Sequence, residues 1–103
     1  MSDQSKYIWF NGETIPWNDA KIHVMSHVLH YGSGVFEGIK CYSTNNGPAI
    51  FRLNEHITRL FQSAYNYDMK IPYNKENLVK ACIDMVSMNQ LTDCYIRPIV
   101  FYG

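Results

Sequence analysis

Three charged side chains stand where apolar neighbours would ordinarily exclude them. Glu37 lies inside HYGSGVFEGIKCY, residues 30–42, Arg97 inside CYIRPIVFY, residues 94–102, and Arg59 beside Leu60 in EHITRL, residues 55–60. A guanidinium among apolar residues requires an anion, and its planar fork takes a carboxylate through two parallel hydrogen bonds. For Arg97 that carboxylate is either a ligand's or Glu37's, and the residues alone leave both open. Arg59 reads by default as a solvated arginine on a helix, with a phosphate contact as its functional alternative. Glu37 in turn needs a partner, which Lys40, His30 or an arginine could supply.

Alternation in a strand places Val35, Glu37, Ile39 and Cys41 on one face and Phe36, Gly38, Lys40 and Tyr42 on the other. A glycine weakens a strand unless a backbone or ligand must come close, so Gly38 marks either a bulge in a filled core or a gap walled by Phe36. Tyr95 and Arg97 likewise share a face. His23, His27 and His30 would meet on a helix, but no nearby Asp, Glu or Cys completes a metal site and Gly32 and Gly34 break the element, so no metal is expected. There is no Gly-rich phosphate loop ending in Lys-Ser/Thr, no G-x-S-x-G turn and no pair of carboxylates at helical spacing in an apolar setting.

The elements that must position these groups follow from turn and cap signals. Asn11-Gly12 between β-formers predicts a hairpin over residues 7–16. Residues 34–43 read as one strand, and NNGP at 45–48 separates it from a second apolar run, Ala49 to Leu53. Asn54 is a candidate N-cap for a helix over about 55–66, with Glu55 in its first turn and Ile57, Leu60, Phe61 and Ala64 as its apolar stripe. Asn74 caps a second helix that presents Leu78, Val79, Cys82, Met85 and Val86 and ends near Asn89. The closing segment is β-rich, with Pro98 confining it to an edge, a strand start or a bulge. Residues 19–33 lack clean periodicity. The order β-β-β-β-α-α-β predicts an α+β fold, a mostly antiparallel sheet with two helices packed on one face.

With 103 residues the chain is a single small domain, below the usual size of a complete metabolic enzyme, and a part of something larger is expected. Its 9 basic and 9 acidic residues balance, which disfavours nucleic acid or an anionic membrane as partner. No apolar run approaches the ~20 residues of a membrane span, and the polar start MSDQSKY is unlike a signal peptide. Cys41, Cys82 and Cys94, odd in number and set in apolar segments, read as reduced thiols rather than a disulfide framework or zinc site, so a cytoplasmic location is expected.

The runs YIWFNGETIPWNDAKIHVMSHVLHYGSGVFEGIKCY, IFRLNEHITRL and CYIRPIVFYG, in that order and over nearly the whole chain, resemble the N-terminal small domain of branched-chain amino-acid aminotransferases. These are fold type IV pyridoxal-phosphate enzymes, and the likeness is to the bacterial form. The resemblance implies that residues 1–103 are that small domain, that Phe36 forms an apolar wall for an aliphatic side chain, and that Gly38 leaves room for it. It implies that Arg59 holds the cofactor phosphate, overturning the surface default, and that Tyr95 and Arg97 recognise a substrate carboxylate, Arg97 being suited to glutamate. Tyr31 matches a residue offered to the active site of a neighbouring subunit, so an oligomer built from dimers is expected. Glu37 remains a structural charge.

The implied activity is transamination of leucine, isoleucine and valine with glutamate and 2-oxoglutarate, in amino-acid biosynthesis. The family's cofactor lysine and the carboxylate facing the pyridine nitrogen belong to a larger second domain, so no catalytic residue is assigned within the chain; Lys40 is rejected as a stand-in. The 103 residues alone are expected to be inactive, to bind pyridoxal phosphate weakly or not at all, and to self-associate through an uncovered apolar face. Two alternatives remain open: another fold type IV enzyme, such as a D-amino-acid aminotransferase or aminodeoxychorismate lyase, and a non-catalytic binding or assembly module.

Overall fold

A computed structural model describes residues 5–103. Strands β1 (Tyr7–Phe10) and β2 (Glu13–Pro16) form the expected first hairpin, closed by Asn11 at φ 51° and Gly12 at φ 88°, the pair of positive angles that suits the twist of a two-residue turn. A 3-10 turn over Trp17–Asp19 and a short helix, α1 (His27–Tyr31), follow, and Gly32 at φ 64° ends α1 by donating its N–H to the Val28 carbonyl. The sequence reading found no element in this stretch. Five residues make too short a helix for a periodic signal.

The two segments read as single strands are each interrupted once, at the same level. Residues 34–43 divide into β3 (Gly34–Phe36) and β4 (Ile39–Thr44), and residues 94–102 into β6 (Cys94–Ile96) and β7 (Ile99–Phe101). β3 pairs antiparallel with β7, Phe36 opposite Ile99, and β4 with β6, Ile39 opposite Ile96. Both ladders keep one register, so Glu37-Gly38 faces Arg97-Pro98 across the interruption. Pro98 has no N–H to give, and the surviving backbone bond runs from Glu37 N–H to the Pro98 carbonyl at 3.1 Å. β5 (Gly47–Ile50) pairs with the other side of β4, Thr44 opposite Gly47, so the turn is Asn45-Asn46 and Gly47 and Pro48 lie in the strand.

α2 (Leu53–Asn66) starts before its expected first turn: Arg52, at φ 53°, takes the N-cap position without a side-chain hydrogen bond, and Asn54 lies inside the helix. Its stripe is as expected, with Ile57, Leu60 and Ala64 buried and Phe61 half-buried. α3 (Lys75–Met88) opens on the expected Asn74 cap, whose side chain accepts from Asn77 N–H while Asn77 returns the bond. At its end Asn89 accepts from the N–H groups of Lys6 and Tyr7, both at 2.8 Å, and ties the helix to β1. The core joins Ile39 to Ile57, Leu60, Leu78 and Cys82, both helices covering the same face of the strands. Each fully buried Ile or Leu contributes on the order of 1.5–3 kcal/mol over its exposed state. The result is an α+β domain of antiparallel strands, in three small sheets, β1-β2, β3-β7 and β5-β4-β6, with two main helices. Among the described residues no helix is long and apolar enough to cross a membrane.

Candidate functional site

The alternation expected for residues 35–42 survives the interruption. Val35, Glu37, Ile39 and Cys41 turn towards the helices, while Phe36, Lys40 and Tyr42 face outward and are exposed. The expected site residues on the strands therefore share the outer face, while Arg59 reaches Glu37 from α2 on the inner one.

On the outer face, Phe36, Gly38, Tyr95 and Arg97 come together. The Arg97 guanidinium lies 4.6 Å from the Phe36 ring centroid and 5.4 Å from that of Tyr95, and its Nη2 donates to the Tyr95 hydroxyl at 3.1 Å. Among the described residues Arg97 makes no salt bridge, so the internal pair with Glu37 that the sequence left open is not formed; the two side chains point to opposite faces. Nor is the guanidinium buried: with Phe36 58% exposed it lies on an open, mostly apolar surface. The gap expected at Gly38 is occupied, because the Tyr95 hydroxyl fills the place a side chain would take. Lys40 is exposed, its ammonium 5.8 Å from the Tyr42 ring centroid.

On the inner face, Glu37 is 5% exposed yet fully partnered. Arg59 donates Nε to Oε2 and Nη2 to Oε1, both at 2.8 Å, and His56 Nδ1 meets Oε1 at 2.8 Å. The hydrogen bond from Arg59 holds the Glu37 carboxyl below its usual range against the opposing effect of burial, with His56 adding to the lowering. An ionised carboxylate only accepts, so Nδ1 of His56 carries the proton in that bond. Neither His30 nor Lys40 is the partner: His30 Nε2 bonds to the Val24 carbonyl at 2.9 Å. The sequence reading missed His56, although the i, i+3 spacing of His56 and Arg59 places both on one helix face.

The Arg59 side chain is 67% exposed, with Nη1 unpartnered among the described residues. One edge of the fork is fixed by a buried carboxylate and the rest is presented to solvent. Such a group fits an incoming phosphate, since its rotamer is set before the anion arrives and the anion need not displace Glu37. Tyr31 joins neither cluster. It is 75% exposed at the end of α1, its ring tilted by 33° against that of His27 with centroids 4.5 Å apart, and His27 in turn bonds Ser33 Oγ at 2.6 Å.

A concavity of about 470 Å³ lies elsewhere, between α2 and the segment leading to α3, lined by residues that include Phe61, Tyr65, Met69 and Lys70. It contains neither an arginine nor an unpaired buried polar atom.

Residues 34–103 match the family described as amino-transferase class IV. The chain is 51% identical over 100 residues to the branched-chain-amino-acid aminotransferase of Escherichia coli K12, covering 97% of this chain and 32% of that protein. It is 50% identical over 103 residues to the enzyme of the same name from Pseudomonas aeruginosa, covering 100% of this chain and 34% of that one. Among solved structures, the Escherichia coli branched-chain amino acid aminotransferase superposes with a TM-score of 0.95 at 51% identity, over 97% of this chain and 34% of that one. The archaeal enzyme of the same name from Thermoproteus uzoniensis, solved with norvaline, superposes with a TM-score of 0.90 at 38% identity, over 95% of this chain and 33% of that one. The chain thus spans about a third of the length of the curated relatives it matches. The chain belongs to the class IV amino-transferase family.

Proposed function

We propose that residues 1–103 are the N-terminal small domain of a branched-chain amino-acid aminotransferase. The whole enzyme would exchange amino groups between leucine, isoleucine or valine and 2-oxoglutarate, with pyridoxal phosphate as cofactor, in a cytoplasmic homo-oligomer built from dimers. The observation that carries this reading is Arg97, a guanidinium set against two aromatic rings on an apolar surface, with no carboxylate partner among the described residues. Such a surface can receive an aliphatic side chain against Phe36 or an acidic one against Arg97, which is what an enzyme that alternates between leucine and glutamate requires.

The roles are those the resemblance implies, and the geometry supports them. Phe36 offers the apolar wall, Tyr95 and Arg97 take a substrate carboxylate, and Arg59, oriented by Glu37, would hold the cofactor phosphate. When bound, pyridoxal phosphate supplies the carbonyl that takes up the amino group and the ring that accommodates the charge left when the α-proton departs. Tyr31, exposed on α1, would be offered to a neighbouring subunit. The lysine that carries the cofactor is assigned to a larger second domain, and the 103 residues by themselves would be inactive.

The test is made on the full-length enzyme. Arg97→Ala should lower kcat/KM for glutamate by at least ten-fold more than for leucine, the order of a lost charged hydrogen bond. Equal losses for both amino acids would remove Arg97 from acidic-substrate recognition. A wild type that uses D-amino acids or aminodeoxychorismate instead would transfer the site to another member of the fold. The identity of the relatives favours the branched-chain reading.

A further inference from the structure

We infer that Gly38 is a positioning residue that sets the balance between acidic and aliphatic substrates, because it is the seat on which Tyr95 holds Arg97. The inference rests on the substrate reading proposed above and deepens it.

Lys40 is the residue opposite Tyr95 in the β4–β6 ladder. Gly38, two positions earlier on the same face, is therefore the diagonal neighbour of Tyr95, at a separation that an aromatic side chain can reach. The ring leans along the strand and crosses the glycine. A methyl group added at Gly38 would overlap the Tyr95 hydroxyl and come within 2.9 Å of its Cζ and 3.2 Å of its Cε2. Gly38 is not among the residues with positive φ, so no backbone conformation calls for glycine here; the requirement is one of space, and the space is taken by a side chain of this chain.

The consequence runs to the guanidinium. With its hydroxyl on the glycine, Tyr95 accepts from Arg97 Nη2 at 3.1 Å, and Phe36 covers the guanidinium at 4.6 Å. The rest of the fork has no acceptor among the described residues. Any side chain at position 38 moves the ring, and Arg97 loses the bond that holds it in place for a carboxylate. An aliphatic substrate, which relies on Phe36, loses less. If Gly38 were instead the room left for an aliphatic side chain, a substitution would hurt leucine more than glutamate, so the two readings differ in sign.

The experiment measures kcat/KM for leucine and for glutamate in the full-length enzyme. Gly38→Ala and Tyr95→Phe should each lower the glutamate-to-leucine ratio by roughly ten-fold, the size of one hydrogen bond to a charged group. Their combination should lower it no further than the larger single effect, because both act through one bond. A leucine loss equal to or greater than the glutamate loss in Gly38→Ala, or single effects that multiply, would overturn the inference. Should Gly38→Ala unfold, Gly38→Ala combined with Tyr95→Ala should melt where Tyr95→Ala alone does, since the obstructing ring is gone; failure to recover would overturn it too. A wild type that turns over neither amino acid sinks the substrate reading and this inference with it. A wild type that uses both, with an unchanged ratio in Gly38→Ala, sinks this inference alone.

Discussion

Arg59 and Glu37 are joined by two hydrogen bonds of 2.8 Å, with the carboxylate buried under α2 and the guanidinium mostly in solvent. The pair is therefore asymmetric, and so is the cost of breaking it. Removing Glu37 leaves an arginine that water can take up, whereas removing Arg59 leaves a buried charge with His56 as its remaining side-chain partner. Arg59→Ala should destabilise the chain more than Glu37→Gln, with the latter costing about 1–3 kcal/mol. Denaturant unfolding of both variants decides it; Glu37→Gln proving the worse of the two would show that the buried carboxylate does not depend on the helix.

The same carboxylate predicts the response to acid. Its folded-state pKa lies below the usual 4.5, so as the pH falls below that value the unfolded chain binds the proton first and unfolding is favoured. The stability contributed by Glu37 is fully present above pH 4.5 and lost as acid reaches its depressed folded value. A melting profile from about pH 6 down to about pH 3 should fall more steeply for the wild type than for Glu37→Gln. Parallel profiles would mean that other carboxylates govern the acid limb.

Much of this arrangement was legible in the residues. The alternation of Val35, Glu37, Ile39 and Cys41 against Phe36, Lys40 and Tyr42 is a period-2 pattern that reports which side faces the core, and it holds through the break. The break itself was less visible, since it needs Pro98 to sit opposite Glu37, and strand register is a long-range fact that no local signal encodes. For the same reason Glu37 could be seen to need a partner while the choice among Lys40, His30 and an arginine stayed open. Asn74 announced a cap because its partner Asn77 lies within one helical turn. Arg52 as N-cap of α2 had no such signal, since it makes no cap bond and depends on an αL backbone. Gly38 was noticed as unusual, but its reason, the Tyr95 hydroxyl, arrives from the opposite strand.

The thiols should be slow to react. Burial pushes Cys82 up to about 11, and burial together with the Cys41 thiol opposite pushes Cys94 up to about 11. Only the thiolate is nucleophilic, so at about pH 8 roughly one thiol in a thousand at each position is reactive. An aromatic disulfide reagent should label the folded chain far more slowly than the denatured one. The sign for stability is opposite to that of Glu37: these groups favour the fold below the usual thiol value of 9.0, and the contribution is lost as pH rises from there through about 11. Rapid labelling of Cys82 at neutral pH in the folded chain would contradict its burial.

The outer face that carries Arg97 makes the last prediction. Phe36, Tyr42, Phe51 and Tyr95 are all exposed, with Tyr42 and Phe51 in edge contact at 6.3 Å; Tyr42 and Tyr95 stand on the β5-β4-β6 sheet and Phe36 on the neighbouring β3-β7 pair. A neutral chain has little long-range repulsion to keep such surfaces apart. Contiguous apolar surface of this kind is uncommon on free-standing domains and drives association when it is left uncovered. The 103-residue chain on its own should therefore self-associate as its concentration rises. Replacing Phe36 and Phe51 with lysine, which adds charge on the outer face without touching the core, should return it towards monomer. Light scattering across a concentration series measures both: a wild-type chain that stays strictly monomeric, or a double variant that associates as readily, would mean that this face is not what draws the molecules together.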